Sequence, residues 1–304
     1  MAKATRSKRD VEAEITAKVM EALERGTVPW EKPWRSAAGL LPTSVQTGRP
    51  YRGINVWLLT ISAEVGGYAS PYWLTFNQAK EFGGTVRKGE KGTLVVFWKR
   101  LEVKDPESPD VDGEPATKTI PMLRHYTVFN LEQTDDVTMP PRFQPDATEH
   151  EPVEPGEALD AIVAGYVDGP KIRHQAGAGA SYSPFADVIT LPALEQFDSS
   201  VAYSSALLHE MTHSTGHASR LNRFERNGEP QHFGTERYAR EELVAEMGAA
   251  MLAAIGGIET RIEQNASYIK GWLSALDDDK TLVVRAAQQA QRAVDRITGD
   301  EVTA

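Results

Sequence analysis

The nine residues HEMTHSTGH, His209 to His217, hold three of the chain's seven histidines and decide how the rest is read. His209, Glu210 and His213 fit H-E-x-x-H. On a helix the two histidines stand at i and i+4, on one face and one turn apart, so both imidazoles reach one ion. Glu210 projects beside them and can take a proton from water. The surrounding VAYSSALLHEMTH suits a helix that is apolar on its other face. The chain has no cysteine, so a metal here must be held by His, Asp or Glu. The competing reading is a solvated helix that happens to be rich in histidine.

A catalytic zinc keeps three protein ligands and one open position. A third histidine in the metzincin register, H-x-x-G-x-x-H, is excluded: Gly216 fits, but the final position is Ser219, and His217 is out of register. The stretch REELVAEMGAAML offers a carboxylate instead. Glu242 and Glu246 are spaced i, i+4 beside Leu243, Val244, Met247 and Met251. Carboxylates beside a buried stripe are costly unless they are paired or bind something. Glu242 is therefore expected as third ligand, with Glu246 accepting a hydrogen bond from a ligand imidazole. Glu241 is the fallback ligand, against a plain role on a solvated face. The metal expected is zinc (Zn2+), with manganese or cobalt also compatible. Such an ion with Glu210 as general base suits amide hydrolysis. ASYSPFADVITLP is expected as an extended or hairpin segment, whose edge could take an extended peptide. Nothing in the sequence selects Tyr238 or His232 as an oxyanion donor.

Outward from this site, 304 residues suggest two domains. The formal net charge of −10 conceals a split: residues 1–100 carry +7 and the remainder −17. No run is long enough for a transmembrane helix, and the charged N-terminus lacks a signal-peptide core. A cytoplasmic protein is expected. Residues 8–25 read as an amphipathic helix through Val11, Ile15, Val19 and Leu23. SPYWLTFNQAKEFGG reads as a short helix, with Thr75 and Gln78 as a capping box. GTLVVFWKRLEV and KTIPMLRHYTVFNLEQ read as strands. The first domain is expected to be α+β and to span residues 1–135. A Pro-rich acidic linker follows at 136–155. The second domain, 156–304, is expected to be mainly helical with a small sheet, with helices near 158–166, 199–216, 235–255, 260–276 and 280–298.

Five of the six tryptophans, at 30, 34, 57, 73 and 98, lie in the first hundred residues, interleaved with basic residues. The segments PWEKPWR, RPYRGINVW, VRKGEKG and FWKR carry the pattern. Aromatic faces stack bases and cations meet phosphates, which suits single-stranded nucleic acid. The candidates are Trp30, Trp34, Arg49, Tyr51, Arg52, Arg87, Lys88 and Lys91. Core packing of the same tryptophans is the strong alternative. GTVRKGEKG has P-loop glycine spacing at Gly84 and Gly89, but Glu90 stands where lysine is needed, so nucleotide binding is not expected.

Taken together, these segments resemble the ArdC family of plasmid-borne antirestriction proteins. GTVPWEKPW, YRGINVWLL, TVRKGEKGTLVVFWK and YTVFNLEQ are similar to its N-terminal domain, shared with TraC-type plasmid primases. ASYSPFADVITLP, HEMTHSTGHASRLNR and EELVAEMGAAML are similar to its zincin-like metallopeptidase domain. The resemblance implies single-stranded DNA binding by the N-terminal domain and protection of incoming DNA from restriction during conjugation. It carries the histidine ligands to His209 and His213, the catalytic glutamate to Glu210 and the third ligand to Glu242. Restriction enzymes, or other proteins engaging the entering strand, are the candidate protein substrates. Two other readings remain at this point. One is a DNA-coating protein with a structural metal; the other is an acidic DNA mimic that occupies restriction enzymes.

Overall fold

Asp10 opens the first helix, α1 (Val11–Glu24), by accepting the Ala13 N–H at 3.0 Å. The computed structural model describes residues 10–30, 41–104, 117–140, 143, 155–224, 236–259 and 266–300. The apolar repeat expected on α1 is buried at Ile15, Val19 and Leu23 and partly buried at Val11. Further along come β1 (Thr43–Ser44), α2 (Ile54–Gly66), β2 (Tyr72–Thr75), α3 (Phe76–Glu81), β3 (Thr85–Val86), β4 (Thr93–Lys104), β5 (Thr117–Asn130) and β6 (Thr134–Asp135).

The main sheet runs in the order β1-β2-β5-β4. β4 and β5 form a long antiparallel ribbon, in register from Thr93↔Val128 to Lys104↔Thr117. β1 joins β2 in parallel, and β3 and β6 pair apart from this sheet. The expected short helix is only half of its segment: Tyr72–Thr75 is a strand, and the helix starts after it. The capping box forms as expected, with Thr75 accepting from Gln78 N–H and Gln78 Oε1 from Thr75 N–H. α2 was not anticipated as a helix. Its Asn55 side chain grips the free edge of β4, donating to the Val96 carbonyl and accepting the Val96 N–H, both at 2.7 Å. The helix thereby covers polar groups that an edge strand would otherwise expose.

The second half holds α4 (Pro155–Gly165), β7 (Lys171–His174), β8 (Ser181–Ser183), β9 (Val188–Leu191), α5 (Ser200–Ser214), α6 (Glu236–Gly256), α7 (Ala266–Asp278) and α8 (Leu282–Thr298). β9 is central in a sheet of order β7-β9-β8, parallel to β7 and antiparallel to β8. The hairpin expected in ASYSPFADVITLP is thus β8–β9. Arg220, its side chain enclosed, braces it to the end of α5. Its guanidinium pairs with Asp187, which closes the hairpin at φ 49°, and donates to Tyr182 Oη, while its Nε donates to the Ser214 carbonyl at 2.9 Å.

This is the expected α+β, two-domain plan, but the two halves share one core. α1 packs against α7 and α8 at the other end of the chain. Trp30 is fully buried, edge-on to Trp57 at 6.3 Å and to Trp272 at 5.3 Å. Thr16 donates to the Lys280 carbonyl at 2.5 Å, and Gln291 Oε1 accepts the Gly53 N–H at 3.0 Å. Most of the segment expected as a linker, 144–154, lies outside the described residues. Among the described residues, no helix is long and apolar enough to cross a membrane.

Candidate metal centre

Ser199 caps α5 by accepting the Ala202 N–H at 3.1 Å, which sets the helix in register. Nearly three turns on, His209 and His213 project together, their ring centroids 4.6 Å apart and their Nε2 atoms 3.0 Å apart. α6 packs across this face. Glu242 directs Oε2 to His209 Nε2 at 3.5 Å and Oε1 to His213 Nε2 at 3.3 Å. The three side chains each offer one donor atom within 4.8 Å of the others.

What lets α6 come so close is Gly248. A Cβ there would stand 2.9 Å from Thr212 Oγ1 and closer still to Thr212 Cγ2. Thr212 has no room to yield: it is fully buried, and its hydroxyl is bonded to the Leu208 carbonyl at 2.9 Å.

Each imidazole has a carboxylate behind it. His209 Nδ1 faces Glu246 Oε1 at 3.5 Å, and His213 Nδ1 faces Glu241 Oε1 at 3.4 Å. Both rings thus turn Nδ1 outward to a carboxylate and Nε2 toward a common point. This arrangement fixes tautomer and ring orientation in metal sites. Glu246 is the carboxylate that faces His209. Glu241, the fallback ligand, does not reach the common point. It is bound instead by buried Arg223, through Nη2 at 2.7 Å and Nε at 3.2 Å. Arg223 also donates to Thr215 Oγ1 at 2.6 Å and to the Thr212 carbonyl at 2.9 Å, closing the end of α5. The sequence reading missed Arg223 altogether.

The electrostatics follow from this layout. Burial raises the Glu241 carboxyl, but the Arg223 guanidinium and the His213 ring together outweigh it and hold the group at about 2. Burial draws the His213 imidazole down, but Glu241 and Glu242 outweigh it and lift the ring to about 10. Burial likewise opposes the charge on Glu242, yet the two imidazoles hold its carboxyl well below the ordinary range. Glu246 goes the other way, pushed up by its burial first and by Glu242. The cluster therefore favours positive charge at its centre. Two imidazole nitrogens and a carboxylate oxygen fit zinc or another divalent first-row ion.

Glu210 is buried on the same helix, at 8% exposure. His217 lies outside the cluster, its Nδ1 bonded within its own turn to Ser219 Oγ at 2.7 Å. His232 lies outside the described residues.

The expected DNA-binding residues do not form one surface. Trp30 is corrected: its ring is enclosed in the core and presents no face to a base. Trp57 and Trp73 are buried as well. Trp34 lies outside the described residues. Arg87 is engaged with Glu90 at 3.1 Å and Asp135 at 3.6 Å. Lys88 and Lys91 are exposed but stand apart from the groove lined by Arg49, Tyr51 and Arg52.

A helix bearing H-E-x-x-H, completed by a glutamate from the next long helix and set against a small sheet, defines a zincin-like metallopeptidase domain. Residues 157–289 match the family described as zincin-like metallopeptidase, and residues 9–129 match the N-terminal domain of anti-restriction factor ArdC. The chain belongs to the ArdC antirestriction family. The metal-free crystal structure of the antirestriction ArdC protein from plasmid R388 is 39% identical, with a TM-score of 0.77, matching 96% of this chain and 98% of that one. The Mn(II)-bound structure of that protein is 38% identical, with a TM-score of 0.75 and coverage of 97% and 99%. Protein y4eC of Sinorhizobium fredii is 36% identical over 94% of this chain and 91% of its own length. A DNA primase TraC of Escherichia coli is 37% identical over 94% of this chain, which spans only 20% of that protein.

Proposed function

We propose that the protein is a single-stranded DNA-binding antirestriction factor carrying a metal-dependent peptidase, which protects incoming plasmid DNA from host restriction during conjugation. The convergence of His209, His213 and Glu242 on one point, each histidine backed by a carboxylate, carries this reading. A divalent ion held by these three residues supplies Lewis acidity, acidifying water and polarising a scissile carbonyl. Zinc and manganese both suit the donor set, and the R388 relative has been solved with Mn(II).

The chain's own residues do the rest. Glu246 and Glu241 hold the two rings in place, and Arg223 keeps Glu241 ionised. Glu210 takes the proton from the attacking water and passes it to the leaving amine nitrogen. We place the DNA-binding part within residues 1–135 and the peptidase within 156–304, with 136–155 linking them. Tethering to single-stranded DNA would concentrate the peptidase near restriction enzymes or other proteins on the entering strand.

Glu210→Ala tests the enzymatic part. The variant should retain metal and DNA binding but lose antirestriction in a conjugation assay into a restricting recipient. Full antirestriction by that variant would reject proteolysis as the mechanism and leave DNA coating in its place.

A further inference from the structure

The N-terminal sheet carries a groove of about 830 Å³ that the metal centre does not use. Among the described residues, its lining includes Arg49 and Arg52 but no aspartate or glutamate, in a chain whose formal net charge is −10. Three aromatic side chains in it are open to solvent: Phe76 at 46%, Phe97 at 45% and Tyr126 at 53% exposure. Phe97 on β4 and Tyr126 on β5 meet edge to face, with centroids 5.6 Å apart. Exposed Arg124 stands opposite Phe97 in the ladder, and Lys80 lies over the Phe76 ring at 4.8 Å. Open aromatic faces beside arginine and lysine side chains suit a flexible polyanion with stacking rings, which is the chemistry of single-stranded nucleic acid.

One cation of the groove is already taken, by the other half of the molecule. Arg52 Nη2 contacts both carboxylate oxygens of Asp295 on α8, at 2.6 and 2.5 Å. Gln291, one turn earlier, donates to Asp295 Oδ1 at 3.1 Å and accepts the Gly53 N–H. Arginine binds carboxylate and phosphate oxygens through the same guanidinium N–H groups, so Asp295 holds a position on Arg52 that a phosphate could take.

We propose that a single DNA strand lies in this groove with bases stacked on Phe97 and Tyr126, and that Asp295 occupies a backbone phosphate's place on Arg52 until the strand displaces it. The inference rests on the single-stranded DNA reading above and adds the site and its internal competitor. Strand binding then releases a contact between the segment that leads into α2 and α8 itself, from opposite halves of the chain.

The test is fluorescence anisotropy of a labelled oligothymidylate of about 20 nucleotides, longer than a single binding face needs, with the full-length protein. Phe97→Ala and Tyr126→Ala should each weaken binding about five- to a hundredfold. Arg52→Ala should weaken it and reduce the slope of log affinity against log salt by about 0.7. Asp295→Asn should tighten binding about two- to fivefold, as expected on removing a partly exposed ion pair that competes. Loss of fold cannot mimic that gain. Wild-type affinity in both aromatic variants would overturn the groove. Unchanged or weaker binding by Asp295→Asn would overturn the competitor. A wild-type protein that ignores the oligonucleotide would overturn the underlying DNA reading itself, an outcome distinct from the other two.

Discussion

Replacing Gly248 by alanine sets two effects of opposite sign against each other. Inside a helix, Gly→Ala ordinarily stabilises by about 0.5–1 kcal/mol, because the unfolded chain loses conformational freedom. At Gly248 the added methyl meets Thr212 Oγ1 at 2.9 Å and Cγ2 more closely, and Thr212 is fully buried. Restoring ordinary contact near 3.5 Å requires α6 to withdraw from α5 by about 1 Å. Overpacking of this kind costs about 1–3 kcal/mol, so it should exceed the helix gain. The expected net loss is up to about 2 kcal/mol, or a few degrees in thermal midpoint. Glu242 lies less than two turns away on α6, and metal sites tolerate displacements of only about 0.5 Å. Metal affinity should therefore fall about tenfold or more. Gly271→Ala is the internal control. It lies within α7, where the added methyl has its nearest neighbour, Ala239 Cβ, at 4.0 Å. That variant should melt at or above the wild-type temperature and keep its metal affinity. Calorimetry with metal titration reads both quantities. If Gly248→Ala also melts higher and binds metal normally, the α5–α6 contact does not set the geometry of the site.

Two further perturbations follow from the same packing. In metal-free protein, Glu241 has its pKa depressed from 4.5 to about 2, so its contribution to stability is present above about 4.5 and is lost as pH falls through about 2. Glu241→Gln leaves Arg223 buried without its carboxylate and should be destabilised most at neutral pH. Its gap from wild type in urea midpoint should narrow below pH 4.5, whereas a constant gap would contradict the pairing. Trp30→Ala should destabilise the fold by about 3–5 kcal/mol, the usual loss for a buried tryptophan. Reduced DNA affinity with an unaltered melting curve would return Trp30 to the stacking role that its burial denies.

The parts of the site that were legible in the sequence are those fixed by local geometry. His209, Glu210 and His213 declare themselves because i, i+4 spacing places two histidines on one helical face. Glu242 and Glu246 stand out because carboxylates interrupt an apolar stripe. α1 and the Thr75–Gln78 box were readable for the same local reason. α2 was not, because its first eight residues, Ile54 to Ile61, are all buried and show no helical period. Nor was Arg223: its carboxylate partner is Glu241 on a separate helix, and nothing local to the ASRLNR segment indicates that contact. The tryptophans misled for a related reason. Composition cannot separate an aromatic that stacks bases from one such as Trp30, whose neighbour Trp272 comes from the far end of the chain. Phe97 and Tyr126 are among the aromatics that are exposed, which strand pairing and solvent exposure distinguish and composition does not.

The central claim is that one divalent ion is held by His209, His213 and Glu242. Elemental analysis of purified wild type, Glu242→Gln and Glu241→Gln, each loaded with manganese or zinc and desalted, tests it most directly. The account predicts one ion per chain in wild type and none in Glu242→Gln. In Glu241→Gln it predicts a bound ion that is lost more readily under chelator. Stoichiometric metal in Glu242→Gln, or its complete absence from Glu241→Gln alone, would contradict the assignment.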